Sequence, residues 1–194
     1  MNKTRLEAFS DGVIAIIITI MVLEIKIPHG GTWLTLVSMW PEFLCYLLSF
    51  IYIGIYWGNH HHLLHTVNKV HSSILLANLN LLFWLSLVPV VTGWMGQNDF
   101  SSDTVACYAT LLILTGISYT ILQFTITQHN QFSPEMVEAM RKQKRKGYIS
   151  TVCYAAAIPM AYIYPLLSAG LFLLVSIMWL VPDKNIEKAY AKPQ

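Results

Sequence analysis

Charge is what this sequence has least of. Asp, Glu, Lys and Arg make up 11% of its 194 residues, where a soluble domain carries roughly 25%. A chain that is 55% apolar and 12% aromatic cannot clothe itself in a hydrated surface, so an integral membrane protein is the expected class. Cysteine is scarce too. Cys45, Cys107 and Cys153 fall in separate apolar segments without disulfide or metal spacing, and read as small buried residues. Neither a His-Glu-x-x-His motif nor an opposed serine and aspartate is present, which argues against an intramembrane enzyme. A Thr-Val-Gly-Tyr-Gly run is missing, so a filter of backbone carbonyls is not available. No segment carries a ladder of arginines, which removes a voltage sensor. The first apolar run lacks a small-residue cleavage site and more runs follow it, so no cleavable leader is expected. With no internal duplication or low-complexity linker, residues 1–194 read as a single domain that needs no cofactor and no metal.

Apolar runs are what the chain does have. Six can be counted, at about 8–27, 42–62, 74–95, 104–127, 147–163 and 165–182, against the roughly 20 residues that cross a bilayer. The first stops at Pro28-His29-Gly30-Gly31. Pro41-Glu42 opens the second, which ends in Trp57-Gly58-Asn59-His60-His61-His62. The third holds Asn78, Asn80 and Pro89; the fourth is rich in small and hydroxyl residues that suit close helix packing. Tyr164-Pro165 alone divides the fifth from the sixth. Between the fourth and fifth, Ser133-Pro134-Glu135 starts a stretch with acids early and bases late. It predicts a short cytoplasmic surface helix, capped by Ser133 and continuing into the fifth run.

Orientation follows from the basic residues. With a cytoplasmic N-terminus, inner segments hold Lys3, Arg5, Lys69, Arg141, Lys142, Lys144, Arg145, Lys146, Lys184, Lys188 and Lys192, and the outer loops only Lys26. Such a bias predicts a multi-pass protein of the cell membrane with an even span number and both termini inside. The basic run at 141–146 therefore belongs beside a membrane rather than on nucleic acid.

One stretch stands apart. Arg5, Ser10 and Asp11 sit at the mouth of the first apolar run, where unpaired polar groups cost several kcal/mol each, so they form a functional-site hypothesis. Further along, Ile16, Thr19, Ile20 and Leu23 share an arc of roughly 100° on one helix face. Antiparallel spans bring Ser10, Asp11, Asn59, His60, His61, Asn78 and Asn80 to the same depth. Asp11 points away from the Ile16 stripe, so its partners belong on the second and third spans, or on Arg5 reaching around the helix start. The histidines 60–62 and 65 lack acidic or cysteine neighbours and read as polar interfacial packing rather than a metal site. Glu24 reads as an interfacial partner of Lys26.

The run Arg5-x-x-x-Phe9-Ser10-Asp11-Gly12, followed by Val-Ile-Ala-Ile-Ile-Ile-Thr-Ile, resembles the signature of the potassium channels related to lysosomal transmembrane protein 175. The six-span layout and the Trp57-Gly-Asn-His-His stretch agree with that resemblance. It implies an all-α membrane fold and a homotetramer, the first helix lining a central pore for potassium ions. It further implies that Ile16 forms a hydrophobic constriction, Thr19 bears on potassium preference, and Ile20 and Leu23 add apolar layers. Arg5, Phe9, Ser10 and Asp11 correspond to a packing cluster on the cytoplasmic side. A regular first helix has its carbonyls engaged, so selection must come from pore width, apolar constriction and a ring of hydroxyls. The expected activity is a voltage-insensitive leak channel of modest potassium selectivity. A secondary transporter of a cation or small solute is the alternative, since Pro89 and Pro159 hint at broken helices.

Overall fold

The computed structural model describes residues 2–26, 28–130 and 132–181. These form eight helices: α1 (Lys3–Leu23), α2 (Trp33–Ser38), α3 (Trp40–His65), α4 (Ser72–Ser86), α5 (Val88–Gln97), α6 (Ser102–His129), α7 (Pro134–Ile163) and α8 (Pro165–Leu180). Among the described residues there is no strand. Lys184, Lys188 and Lys192 lie outside them.

The boundaries have local causes. Asn2 caps α1, its Oδ1 accepting from the Thr4 N–H at 2.9 Å, and satisfies one of the donors a helix start leaves open. Past Leu23 the chain turns, and Gly30 takes φ 130°, a conformation glycine adopts without a Cβ penalty. Ser133 caps α7 by accepting from the Met136 N–H at 3.3 Å, with Pro134 in the first turn. The third apolar run is two helices. Pro89 lacks the N–H that would reach Leu85 and its ring crowds that carbonyl, so the chain loosens at Leu87, whose N–H bonds Trp84 O at 3.3 Å. Tyr164, ahead of Pro165, is extended at φ −156° and ψ 101°, as a residue before proline prefers.

One expectation is corrected. The helix capped by Ser133 does continue into the fifth run, as one 30-residue α7, but its first half is not simply a surface element. Met136, Ala139, Met140 and Gln143 are buried, because an apolar stripe continues through the basic run and packs on its neighbours.

α1 packs on α3, α4 and α5; α6 joins α4 to α7, and α8 covers α7 and α3. One apolar core gathers Leu6, Ile14, Ile17 and Met21 of α1 with Ile53, Leu63, Ile74, Leu81 and Leu122. A second gathers Cys45, Tyr52, Tyr108, Tyr154, Ala157 and Phe172. Buried hydroxyls inside the second core are paired: Ser49 bonds both Thr92 (2.7 Å) and Tyr108 (2.8 Å), and the Tyr52 hydroxyl donates to Phe172 O at 2.7 Å. Such pairing is what an apolar medium demands of a polar group.

Among the described residues, three helical stretches are long and apolar enough to cross a membrane: Lys3–Leu23, Ser72–Gln97 and Ser102–His129. They are unequally covered. In the most apolar window of α1, 28% of residues are buried, against 56% in α6, so α1 keeps a wide bare face.

Among the glycines, the one with least room for a side chain lies where α5 meets α3. A Cβ added at Gly96 would lie 2.9 Å from Glu42 Cα, closer than two carbons can pack, and the obstacle is main chain. Gly96→Ala should therefore push α5 off α3 and destabilise the fold by about 1–3 kcal/mol. The measurement is the thermal unfolding midpoint of the purified protein in detergent, with Gly58→Ala, where an added Cβ meets nothing within 4 Å, as the neutral control.

Candidate functional site

The buried face of α1 is held by a directed chain of hydrogen bonds. Ser10 has no solvent exposure, and its hydroxyl donates to Leu6 O at 2.8 Å. Its oxygen accepts from Asn78 Nδ2 of α4 at 2.9 Å. Asn78 Oδ1 in turn lies 2.6 Å from His60 Nε2 of α3. Because an amide oxygen only accepts, His60 must carry its proton on Nε2. In the neutral ring His60 Nδ1 is then a bare acceptor, buried and without a partner among the described residues. Three helices thus converge on one polar line inside an apolar core, and every proton on it has a single direction.

Asp11 lies beside this line. Its Oδ1 accepts from the Trp57 indole N–H of α3 at 3.0 Å, so the partner is on the second apolar run and not Arg5. The Trp57 ring packs at a tilt on His61, 6.1 Å between centroids, and His61 itself is exposed.

The remaining expected members go elsewhere. Asn59 belongs to a second network: its Oδ1 accepts from Gln143 Nε2 of α7 at 2.6 Å, Gln143 Oε1 accepts from Gln123 Nε2 of α6 at 3.2 Å, and Tyr119 Oη donates to Asn59 O at 3.2 Å. Asn80 donates to Ser118 Oγ of α6 at 2.8 Å. Two residues separate Asn80 from Asn78, which carries it to another side of α4. Among the described residues, Arg5 and Phe9 are not packed into the cluster. Both are exposed, Phe9 at 51%, because they share the outward arc of α1 with Gly12, Ile16 and Thr19 rather than the arc of Ser10. Glu24 is likewise not paired with Lys26 among the described residues; its side chain lies against the Gly93 position of α5.

The stripe expected to line a pore is bare. Ile16 is 57% exposed, Ile20 41% and Leu23 79%, and Thr19 is exposed with them. The Thr19 hydroxyl donates to Ile16 O at 2.8 Å, a return bond that turns its oxygen lone pairs outward. Sequence reasoning missed Trp57, Tyr119, Gln123 and Gln143 as network members. Trp57 sits one turn before His61 and carries a lone N–H donor, which a search for a neutral partner to Asp11 could have used. The two glutamines had no such signal, since each lies in a stretch whose neighbours gave it another role.

An all-helical chain with membrane-length apolar helices and paired intramembrane polar groups defines a polytopic membrane protein. Comparison with known proteins narrows this. The family described as endosomal/lysosomal potassium channel TMEM175 matches over residues 5–89. A potassium channel of Chryseobacterium sp. (strain P1-3) is 52% identical over 97% of this chain and 98% of its own length. One from Streptomyces collinus is 30% identical over 84% of each chain. The crystal structure of a lysosomal potassium-selective channel TMEM175 homolog from Chamaesiphon minutus superposes with a TM-score of 0.80 at 28% identity, covering 92% of this chain and 96% of that one. The chain therefore belongs to the TMEM175 family of membrane ion channels.

Asn78→Ala removes the amide that serves both Ser10 and His60; Ser10 keeps its bond to Leu6 O, but the buried His60 Nε2 is left short of its acceptor. At about 1–3 kcal/mol for that orphaned group, the variant should unfold at a lower temperature than Asn80→Ala, whose partner Ser118 keeps its bond to Leu114 O (2.8 Å). Differential scanning fluorimetry of the two variants in one detergent makes the comparison.

Proposed function

We propose that this chain is a potassium-preferring leak channel of the cell membrane, voltage-insensitive, with six spans per subunit and both termini cytoplasmic. Four copies surround a pore lined by α1. The observation that carries the reading is the continuous bare stripe of Ile16, Thr19, Ile20 and Leu23 on a helix whose opposite face is bonded to α3 and α4. One helix encloses nothing, so the stripe needs copies of itself. Arg5, Phe9 and Gly12 lie on the same arc and would face neighbouring subunits. The relatives named as potassium channels support the permeant ion; animal relatives are named as proton channels, such as that of Gallus gallus, 30% identical over 65% of this chain and 28% of its own length.

The mechanism follows from the side chains. Ile16 from each copy forms an apolar ring that an ion crosses with much of its hydration intact. Thr19 places oxygens one turn outward from that ring, each with its proton committed to Ile16 O and its lone pairs open to a cation. Four such acceptors favour the cation that surrenders water more readily, which is potassium over sodium, yet hydroxyls in a regular helix cannot replace a full shell. Selectivity is accordingly modest.

Flux tests the proposal. In potassium-loaded liposomes the protein should carry fast electrogenic cation current. Ile16→Asn, by wetting the constriction, should raise that current several-fold. Saturable, slow counter-transport in the same vesicles would favour the transporter reading instead. For Thr19→Ala, the reversal potential under a potassium–sodium gradient should shift toward zero; a potential identical to wild type would remove the hydroxyl from ion selection.

A further inference from the structure

Among the described helices, α2 alone contains no buried residue. Its apolar side chains lie open instead: Trp33 is 83% exposed, Leu34 79%, Leu36 42% and Val37 64%. At about 100° per residue these four share an arc of roughly 160°, and the half-buried Thr35 lies outside it. The helix is two-sided although short. At its junction with α3, Trp40 is exposed too, and stacks on Phe100 with 6.0 Å between ring centroids. From residue 27 to residue 41 the sequence has no Asp, Glu, Lys or Arg.

The polar groups of this segment are closed on one another. Thr32 Oγ1 accepts from the Thr35 N–H at 3.2 Å and lies 2.8 Å from Thr35 Oγ1. Ser38 Oγ donates to Thr35 O at 2.7 Å. Met39 is at once the C-cap of α2 and the N-cap of α3. Its N–H donates to Leu36 O at 3.2 Å and its carbonyl accepts from the Phe43 N–H at 3.2 Å. The main chain thus passes from one helix to the next with few donors or acceptors left open. Water makes no such demand of an exposed helix, whereas a medium poor in hydrogen bonds does.

We propose that α2 lies in the bilayer interface as an anchor, with Leu34, Leu36 and Val37 turned to acyl chains and Trp33 and Trp40 at headgroup level. The bare apolar surface of α2 runs on without a charge into Phe43, Leu44 and Leu47 of α3, which are exposed as well, so one lipid-facing surface continues from span to anchor. Tryptophan, with an apolar body and one N–H, suits that boundary, and a neutral helix with an apolar arc lies along it. Only the choice of leaflet, the one opposite the N-terminus, rests on the proposed channel topology. Because α2 runs straight into α3 and follows α1 across a short loop, the anchor sets the depth at which both helices end.

Tryptophan fluorescence of the purified full chain in phosphatidylcholine vesicles tests it. Trp33→Phe alters one exposed ring, so wild-type emission minus that of the variant isolates Trp33. Phosphatidylcholine brominated near the headgroup end of its acyl chains should quench most of this difference signal, and iodide in the water little of it. Val37→Glu, which puts a charge on the apolar arc, should reverse that order by lifting the helix into water. Strong iodide quenching of wild type with no effect of the brominated lipid overturns the proposal. Protection from both quenchers also overturns it, and assigns the face to a second copy of the chain. If Val37→Glu fails to assemble, the wild-type difference signal decides alone. Potassium flux on the same vesicles separates the two readings: lipid quenching without flux supports the anchor and counts against the channel, and flux without lipid quenching does the reverse.

Discussion

The rotation of α1 about its own axis is the constraint on which the rest of this protein depends. A helix with apolar residues on most of its circumference has little reason to prefer one face inward, since lipid, core and pore wall all accept isoleucine. Hydrophobic burial therefore cannot set the rotation. The bond from Asn78 to Ser10, at the end of the line that starts at His60, can, because a turn of α1 by about 100° would carry Ser10 away and leave a buried amide donor unpaired. Asp11 and Trp57 add a second point of attachment at the edge of the same face.

That constraint explains why polar residues lie where their burial is most costly. A membrane protein gains little from segregating apolar helices from apolar lipid, so hydrogen bonds and close contact must supply specificity. The structure uses both. The amide networks tie α1 to α3 and α4, and α3 to α6 and α7. Gly96 lets α5 approach the α3 backbone nearer than any side chain would permit. Where glycines meet nothing instead, at positions 54, 58 and 147, they leave space, and one sequence feature serves opposite ends according to what stands across from it.

The bare stripe of α1 acquires meaning from this arrangement. A polar line that holds one face inward necessarily turns Ile16, Thr19, Ile20 and Leu23 outward. Breaks elsewhere do not disturb it: Pro89 loosens the junction of α4 and α5 past the Asn78 bond, and Pro165 ends α7 far from α1. α1 itself runs 21 residues without proline.

Much of this is legible in the order of the residues. Composition requires a membrane, hydropathy marks the long runs, and helical period places Ile16, Thr19, Ile20 and Leu23 together, since that period belongs to one segment. The depth shared by Ser10, His60 and Asn78 follows from antiparallel runs. Which of the polar residues pair does not follow, because depth is one coordinate and contact needs three. Asn59 and Asn80 reach depths close to their neighbours yet face α7 and α6. Gln143 stands in a basic run that reads as a surface, and only the packing of a continuous α7 brings it inside. Periodicity along each helix is thus written into its own residues. The side each helix turns to its neighbours is decided by tertiary structure, because rotation and tilt are set by partners that lie far away along the chain.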